Sequence, residues 1–306
     1  MALEINKIHC MDAMTGLRQM DDQSVNCIVT SPPYWNQRDY GVEGQIGMEK
    51  SPEEYIQKIV FVFHEINRIL RDDGTLWLNL GDTYDRKTKN LLGIPWKVAF
   101  ELQADGWHLR QDIIWSKPNP MPESVIDRCT KSHEYLFLLT KSAKYYFDHG
   151  AMLEEATGYD GRQDTKYKGG KKDISVGAHE RWRYKNLQSD GQRPNTMHIK
   201  RLVGEEYLSP CRNRRSVWTV ATEPFREAHF ATYPEKLIEP CLLAGCPAGG
   251  IVLDPFMGSG TTAKVAVKYG RQFIGFELNK AYVEIAERRL NGIDVMLPLD
   301  REGSPR

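Results

Sequence analysis

Ile251-Val252-Leu253-Asp254-Pro255-Phe256-Met257-Gly258-Ser259-Gly260-Thr261-Thr262 decides the fold. The three apolar residues that open it read as a buried strand. Asp254 stands at the strand's tip, and Gly258 and Gly260 make a turn through which the backbone can pass close to a ligand. A helical pattern follows over 260–269. The first turn of such a helix offers unpaired N–H groups and the positive end of a dipole. Strand, acid, glycine turn and helix together have the form of a nucleotide-type site. The next strand, 273–276, runs into Glu277, an acid placed to accept both hydroxyls of a ribose. The glycines do not follow the Gly-x-Gly-x-x-Gly pattern, and no Lys follows them as in a P-loop. That argues against NAD and against ATP hydrolysis.

Outward from this stretch, strands and helices alternate. Strands are predicted at 5–10, 25–29, 75–80, 111–115 and 135–140, and regular pattern returns near 216–218. A short helical stretch ends at about 20, and further helices are predicted at about 94–104, 234–245 and 279–290, with Pro240 as a kink. The clearest helix opens at Ser51-Pro52-Glu53-Glu54, where an N-cap serine, a proline at the first helical position and Glu54 form a capping box. Apolar residues at 56, 59, 60, 63, 66 and 70 give it one face, and Asp72-Asp73-Gly74 reads as its terminator. Residues 144–147 read as a strand paired with 135–140. Residues 36–50 read as a loop. The expected fold class is α/β: a doubly wound, mostly parallel sheet with helices on both faces. Periodicity is lost at 150–215, so the expected segments are 1–149, an insertion at 150–215, and 216–306.

Composition narrows the class. No apolar run approaches the length that spans a bilayer, and the N-terminus lacks the basic-then-apolar order of a secretory signal. Six cysteines show no Cys-x-x-Cys pair and no disulfide spacing, which suits reduced thiols in the cytoplasm. Net charge is zero but uneven: residues 160–215 carry fourteen Lys and Arg against seven acids. Charge alone fits either a surface for a polyanion or a solvated insertion.

The second informative stretch is Thr30-Ser31-Pro32-Pro33-Tyr34-Trp35. Two prolines cannot donate to a ladder, so the strand at 25–29 must stop there. The rigid turn that remains carries a hydroxyl, carbonyls with no competing N–H, and two aromatic faces. That set suits a planar ring bearing an amino group, although a turn of this kind is also compatible with a purely structural role.

Asp254-Pro-Phe-Met-Gly-Ser-Gly-Thr-Thr262 together with Ser31-Pro-Pro-Tyr34 resembles the amino-DNA methyltransferases, which use S-adenosyl-L-methionine. The catalytic motif comes first, the cofactor motif last and a variable segment between, as in the permuted, beta-type group. The resemblance covers nearly the whole chain outside 150–215. It implies a Rossmann-like methyltransferase fold in which Asp254, Phe256, Gly258, Ser259, Gly260 and Thr261 form the cofactor loop, with Thr261 at the methionine carboxylate. It further implies Glu277 at the ribose, Asp12 at the adenine amino group, and 230–234, including Thr232, over the methionine end. A simple helix cap is the lesser alternative for Asp12. Ser31, Pro32, Pro33 and Tyr34 are implied to be catalytic. An exocyclic amine is a poor nucleophile because its lone pair is delocalised. Accepting its protons at the Ser31 side chain and the Pro32 carbonyl localises the pair, while Tyr34 stacks on the ring. Positioning and electrostatics carry the rate, with no metal and no covalent intermediate, and the base must be flipped out of the duplex.

In this family Ser before the prolines goes mainly with the 4-amino group of cytosine, and Asp with the 6-amino group of adenine. Ser31 therefore favours N4-methylcytosine, with N6-adenine as the alternative. Methylation of a protein amide would call for Asn before the prolines, and a non-catalytic DNA-binding module would not need intact motifs at both ends. A 5-methylcytosine enzyme needs a nucleophilic Cys after Pro at a strand tip, and neither Pro210-Cys211 nor Pro240-Cys241 caps a strand. The expected partners are double-stranded DNA and, in a restriction-modification pair, a cognate restriction endonuclease, with no membrane; the chain itself is expected as a monomer or homodimer. The 150–215 segment lies where the family places target recognition. Candidate DNA contacts are Arg38, Lys117, His133, Arg212, Arg214 and Arg215, with Trp182 and Tyr184 as stacking or core residues. Asn79-Leu80-Gly81-Asp82 ends a strand and reads either as pocket lining or as a capping turn.

Overall fold

The structure, a computed structural model, describes residues 3–155, 211–223, 232–291 and 293. Trp182, Tyr184, Pro210, Phe230 and Ala231 lie outside them. Two compact units emerge, Met152–Arg214 and the remainder.

The larger unit is built on an eight-stranded sheet in the order β1-β10-β9-β2-β3-β5-β4-β8. Its strands are β1 (Lys7–Cys10), β2 (Val25–Thr30), β3 (Leu70–Leu80), β4 (His108–Ser116), β5 (His133–Thr140), β8 (Val217–Thr219), β9 (Ile251–Asp254) and β10 (Gln272–Glu277). All pairings are parallel except those of β5, which runs antiparallel to both β3 and β4. The helices are α1 (Ala13–Leu17), α2 (Pro52–Ile69), α3 (Ile94–Ala104), α4 (Glu235–Gly245), α5 (Thr261–Lys268) and α6 (Lys280–Leu290). Strand alternation divides the core. Ile28, Leu76 and Leu78 face α1, α2 and α3. Cys27, Thr75 and Trp77 face α4, whose Gly245 sits so close that an added Cβ would lie 2.5 Å from Trp77 Nε1. The doubly wound, mostly parallel sheet expected from the alternation is therefore the fold. In the smaller unit, β6 (Leu153–Glu155) pairs antiparallel with β7 (Cys211–Asn213).

Ser51 caps α2, accepting from Glu54 N at 3.2 Å, and Glu54 reaches back to Lys50 N at the same distance. Two local readings are corrected. Asp72-Asp73-Gly74 does not lie in a terminating turn; α2 ends at Ile69 and β3 starts directly at Leu70, pairing with Val25 before a register shift. Residues 144–147 form no strand. The edge of β5 that they would occupy is taken by β3 on one side and β4 on the other, and Tyr146 N donates to Asp73 O instead.

Candidate active site

β2 pairs with β9 on one side and with β3 on the other, all parallel. From that point the chain winds outward in opposite directions. In open α/β sheets, ligands sit at the carboxyl ends of strands where this reversal occurs. The register Ile28↔Leu253 brings the ends of both motif-bearing strands together, and Thr30 Oγ1 donates to Asp254 Oδ1 at 2.6 Å. A cavity of about 510 Å³ opens above this junction. Asp12, Thr232, Phe256, Gly258, Ser259, Thr261 and Glu277 line it, as do Ser31, Pro32, Pro33, Tyr34, Asn79, Lys117 and Glu134.

Asp254 and Gly260 are not among the residues that line the cavity; they shape the turn that does. Asp254 is enclosed. Besides Thr30, its carboxylate accepts from Phe256 N at 3.0 Å, Thr262 Oγ1 at 2.7 Å and Tyr233 OH at 2.9 Å. Burial pushes its pKa up, against the pull of these donors. Its oxygens are spent on shaping the turn that others present. Gly260 has φ +83, and a Cβ there would meet Ala286 Cβ at 2.7 Å, so only glycine lets α5 start against α6. Arg289 of α6 braces the turn from outside, donating to Ser259 O at 2.5 Å and Ser259 Oγ at 2.7 Å.

Among the carboxylates that line the cavity are Glu277 and Asp12. Glu277 accepts from Gly258 N at 2.8 Å and Asn279 N at 2.7 Å, and burial raises its pKa. Asp12 accepts from Thr15 N at 2.9 Å as the N-cap of α1. Burial opposes its charge, but the hydrogen bonds from Thr15 outweigh that and keep its pKa low. Cap and cavity lining are thus two properties of one side chain. Tyr282 also lines the cavity, edge-on to Tyr40 at 6.3 Å, with its pKa pushed up to about 12 by burial.

The register Thr30↔Leu78 brings Ser31 beside Asn79. Asn79 lies opposite Leu136, Glu134 is two residues from Leu136, and Trp115 lies opposite Glu134, so the period of two puts all three on one face. Ser31 Oγ donates to Tyr34 OH at 3.2 Å, and Tyr34 OH donates to Glu134 Oε2 at 2.7 Å. Asn79 Nδ2 donates to Tyr34 OH at 2.8 Å and to Glu134 Oε2 at 2.9 Å. Lys117 forms a short ion pair with Glu134, and its Nζ lies 4.2 Å from the Trp115 ring centroid. Burial, with Glu134 adding to it, raises the Tyr34 pKa well above the phenol range. The Tyr34 ring packs against Gly81, where an added Cβ would lie 2.5 Å from Tyr34 Cε2. Gly81→Ala is therefore expected to displace the ring and lower kcat about tenfold or more; steady-state kinetics beside a thermal melt separate this from loss of fold.

Sequence reasoning named Lys117 but not Glu134 as a site residue. His133 does not line the cavity; it stands edge-on to Tyr135 at 5.4 Å, and alternation turns the next residue, Glu134, inward. Only the strand register could have chosen between the two neighbours. In Asn79-Leu80-Gly81-Asp82 both earlier readings hold, because Asn79 lines the cavity while Asp82 accepts from Gly93 N and Ile94 N, each at 3.1 Å, at the start of α3. Arg38 lines the cavity. Arg212 pairs with Glu154 at 2.8 Å within the smaller unit, Arg214 is half-buried and Arg215 exposed. Cys241 is buried in α4.

A glycine turn at the switch point of a doubly wound sheet, with the Ser31-Pro32-Pro33-Tyr34 turn at the same cavity, defines a Rossmann-like ligand-binding fold. A family model described as DNA methylase matches residues 25–288. Type II methyltransferase M.Cfr9I of Citrobacter freundii is 44% identical, over 92% of this chain and 87% of that protein. Type II methyltransferase M.SmaI of Serratia marcescens is 39% identical, over 93% and 90%. Among solved structures, a PvuII DNA methyltransferase (cytosine-N4-specific) has the same fold, with TM-score 0.66 and 17% identity over 96% of this chain and 89% of that one. The chain belongs to the DNA methylase family of N4/N6 amino-methyltransferases, which are S-adenosylmethionine-dependent. Among the described residues no helix is long and apolar enough to cross a membrane.

Proposed function

We propose that this DNA methyltransferase modifies the 4-amino group of a cytosine flipped out of duplex DNA. The observation that carries the reading is the meeting of Ser31-Pro32 with the 254–262 turn at one cavity. Ser31 puts a neutral hydroxyl where a carboxylate would mark the adenine enzymes. The fold neighbour PvuII DNA methyltransferase, which is cytosine-N4-specific, supports the same choice.

The lining fits S-adenosylmethionine. Glu277 suits the ribose hydroxyls, Asp12 the adenine amino group, and Phe256 an apolar face of the nucleoside. Thr232, Thr261 and the unpaired N–H groups at the start of α5 suit the methionine end. When bound, this cofactor supplies an electrophilic methyl on a sulfonium. The chain's own residues present the nucleophile: Tyr34 fixes the ring plane, and Ser31 Oγ with the Pro32 carbonyl accepts the two amine protons and localises the nitrogen lone pair. With the cofactor bound, the nitrogen lone pair held this way would take the methyl, leaving the sulfonium as a neutral thioether, and one amine proton would pass to solvent. Glu277→Ala is expected to raise the Kd for S-adenosylmethionine about 10- to 100-fold by calorimetry, the loss of a hydrogen bond to a charged group.

Residues 150–215, with their excess of Lys and Arg, are assigned to target recognition, Arg212, Arg214 and Arg215 among the phosphate contacts. Kinship with Type II methyltransferases makes a cognate restriction endonuclease the partner to seek. Incubation with unmethylated DNA and cofactor, nuclease digestion and mass spectrometry of the nucleosides tests the reading. N4-methylcytosine is expected; N6-methyladenine would replace the cytosine assignment with the adenine one.

A further inference from the structure

We infer that Glu134, anchored by Lys117, is a positioning residue that sets the direction of the hydrogen bonds beneath the base and so makes Ser31 an acceptor toward the substrate amine. The inference rests on the proposed amino-methylation at Ser31-Pro32, and holds for either base.

A serine hydroxyl has one proton and can point it either way. Pointed at an amine it repels the N–H groups; pointed away it offers a lone pair to them. Nothing in Ser31 itself chooses. The choice is made two bonds away. The Glu134 carboxylate, ion-paired with Lys117, only accepts. Its Oε2 takes the Tyr34 proton at 2.7 Å. The Tyr34 oxygen is then left with lone pairs, which receive Asn79 Nδ2 at 2.8 Å and Ser31 Oγ at 3.2 Å. Ser31 thereby spends its only proton on Tyr34. Asn79 Nδ2 adds a long contact to Ser31 Oγ at 3.4 Å, which leaves the serine a lone pair for the cavity.

The anchoring is built into the sheet. Trp115 and Glu134 are cross-strand partners, Trp115 Nε1 is held by Val220 O at 2.8 Å, and Lys117 lies over the Trp115 ring. Lys117 and Glu134 are both largely buried, with side-chain exposures of 17% and 15%. Lys117, a candidate phosphate contact from sequence, is turned inward to hold the acid that orders the chain of hydroxyls.

The test is Glu134→Gln. Its amide can donate to Tyr34, which would turn the Tyr34 proton onto Ser31 and the Ser31 proton onto the amine. On the full-length protein with duplex DNA, kcat is expected to fall roughly 30-fold, the scale of one misdirected hydrogen bond to a charged group. KM for DNA and Kd for S-adenosylmethionine should stay within about threefold of the parent. In a Tyr34→Phe background, where the link is already cut, Glu134→Gln should cost less than about threefold more. A fold defect from the unpaired lysine is handled by Lys117→Met/Glu134→Gln, which removes both charges and should fold like the parent while remaining slow. Parent-like kcat in Glu134→Gln or in the double variant overturns the inference, as does an equal loss in the Tyr34→Phe background. The methylated base is identified separately by nucleoside analysis, so a wrong base and a wrong role for Glu134 give different results.

Discussion

Tyr34→Ala is expected to lose roughly 100- to 1,000-fold in kcat while binding S-adenosylmethionine as the parent does. Two effects add. The alanine takes away the ring that packs on Gly81 and would fix the plane of the base. It also removes the oxygen that joins Ser31 to Glu134, so the serine proton loses its partner. Cofactor binding is spared because the carboxylates assigned to it, Asp12 and Glu277, are held by Thr15, Gly258 and Asn279, none of which touches Tyr34. Single-turnover methylation beside calorimetry separates the two quantities. Methylation at the parent rate would remove Tyr34 from the reaction.

Asp254→Ala is expected to act on stability before it acts on chemistry. Four donors converge on this carboxylate, from Thr30, Phe256, Tyr233 and Thr262. Removing the carboxylate leaves the Thr30 hydroxyl and the Phe256 N–H without their acceptor at the point where β2 and β9 meet, while Thr262 keeps Val29 O. A loss of about 3 kcal/mol follows from breaking a buried charged network, or roughly 5 °C in Tm for a chain of this size. Asp254→Asn should lose less, because the Thr262 and Tyr233 hydroxyls can turn to accept from the amide. Burial raises the folded-state pKa of Asp254, so ionising it costs stability. The sign is therefore the reverse of an exposed ion pair: the cost is absent below the unfolded-state pKa and grows as pH rises through the folded value. An Asp254→Ala protein that melts with the parent would show that the turn is held by other contacts.

Much of this was legible in the chain itself. The alternation of apolar runs with amphipathic stretches specified a doubly wound sheet, because strand and helix periods are local properties of the residues. Ser51-Pro52-Glu53-Glu54 located the start of α2 for the same local reason. The two motifs were also legible, since prolines stop a strand and paired glycines permit a close turn wherever they occur. The errors fell where local signals compete with pairing. Gly74 looked like a helix terminator, yet β2 recruits that segment into β3. Residues 144–147 looked like a strand, yet both edges of β5 are occupied.

By itself, then, the sequence determined the class of fold and the two motifs, Ser31-Pro32-Pro33-Tyr34 and the 254–262 turn. The tertiary structure decided which side chains meet. Ser31 and Asp254 are separated by more than two hundred residues, and the pairing of β2 with β9 makes them neighbours. It surrounded Asp254 with donors, and the register of β5 against β4 put Glu134 among the residues that line the cavity. Register and burial depend on contacts distant in the chain, and a hydrogen bond's direction depends on all its neighbours at once. No single stretch of sequence carries that information.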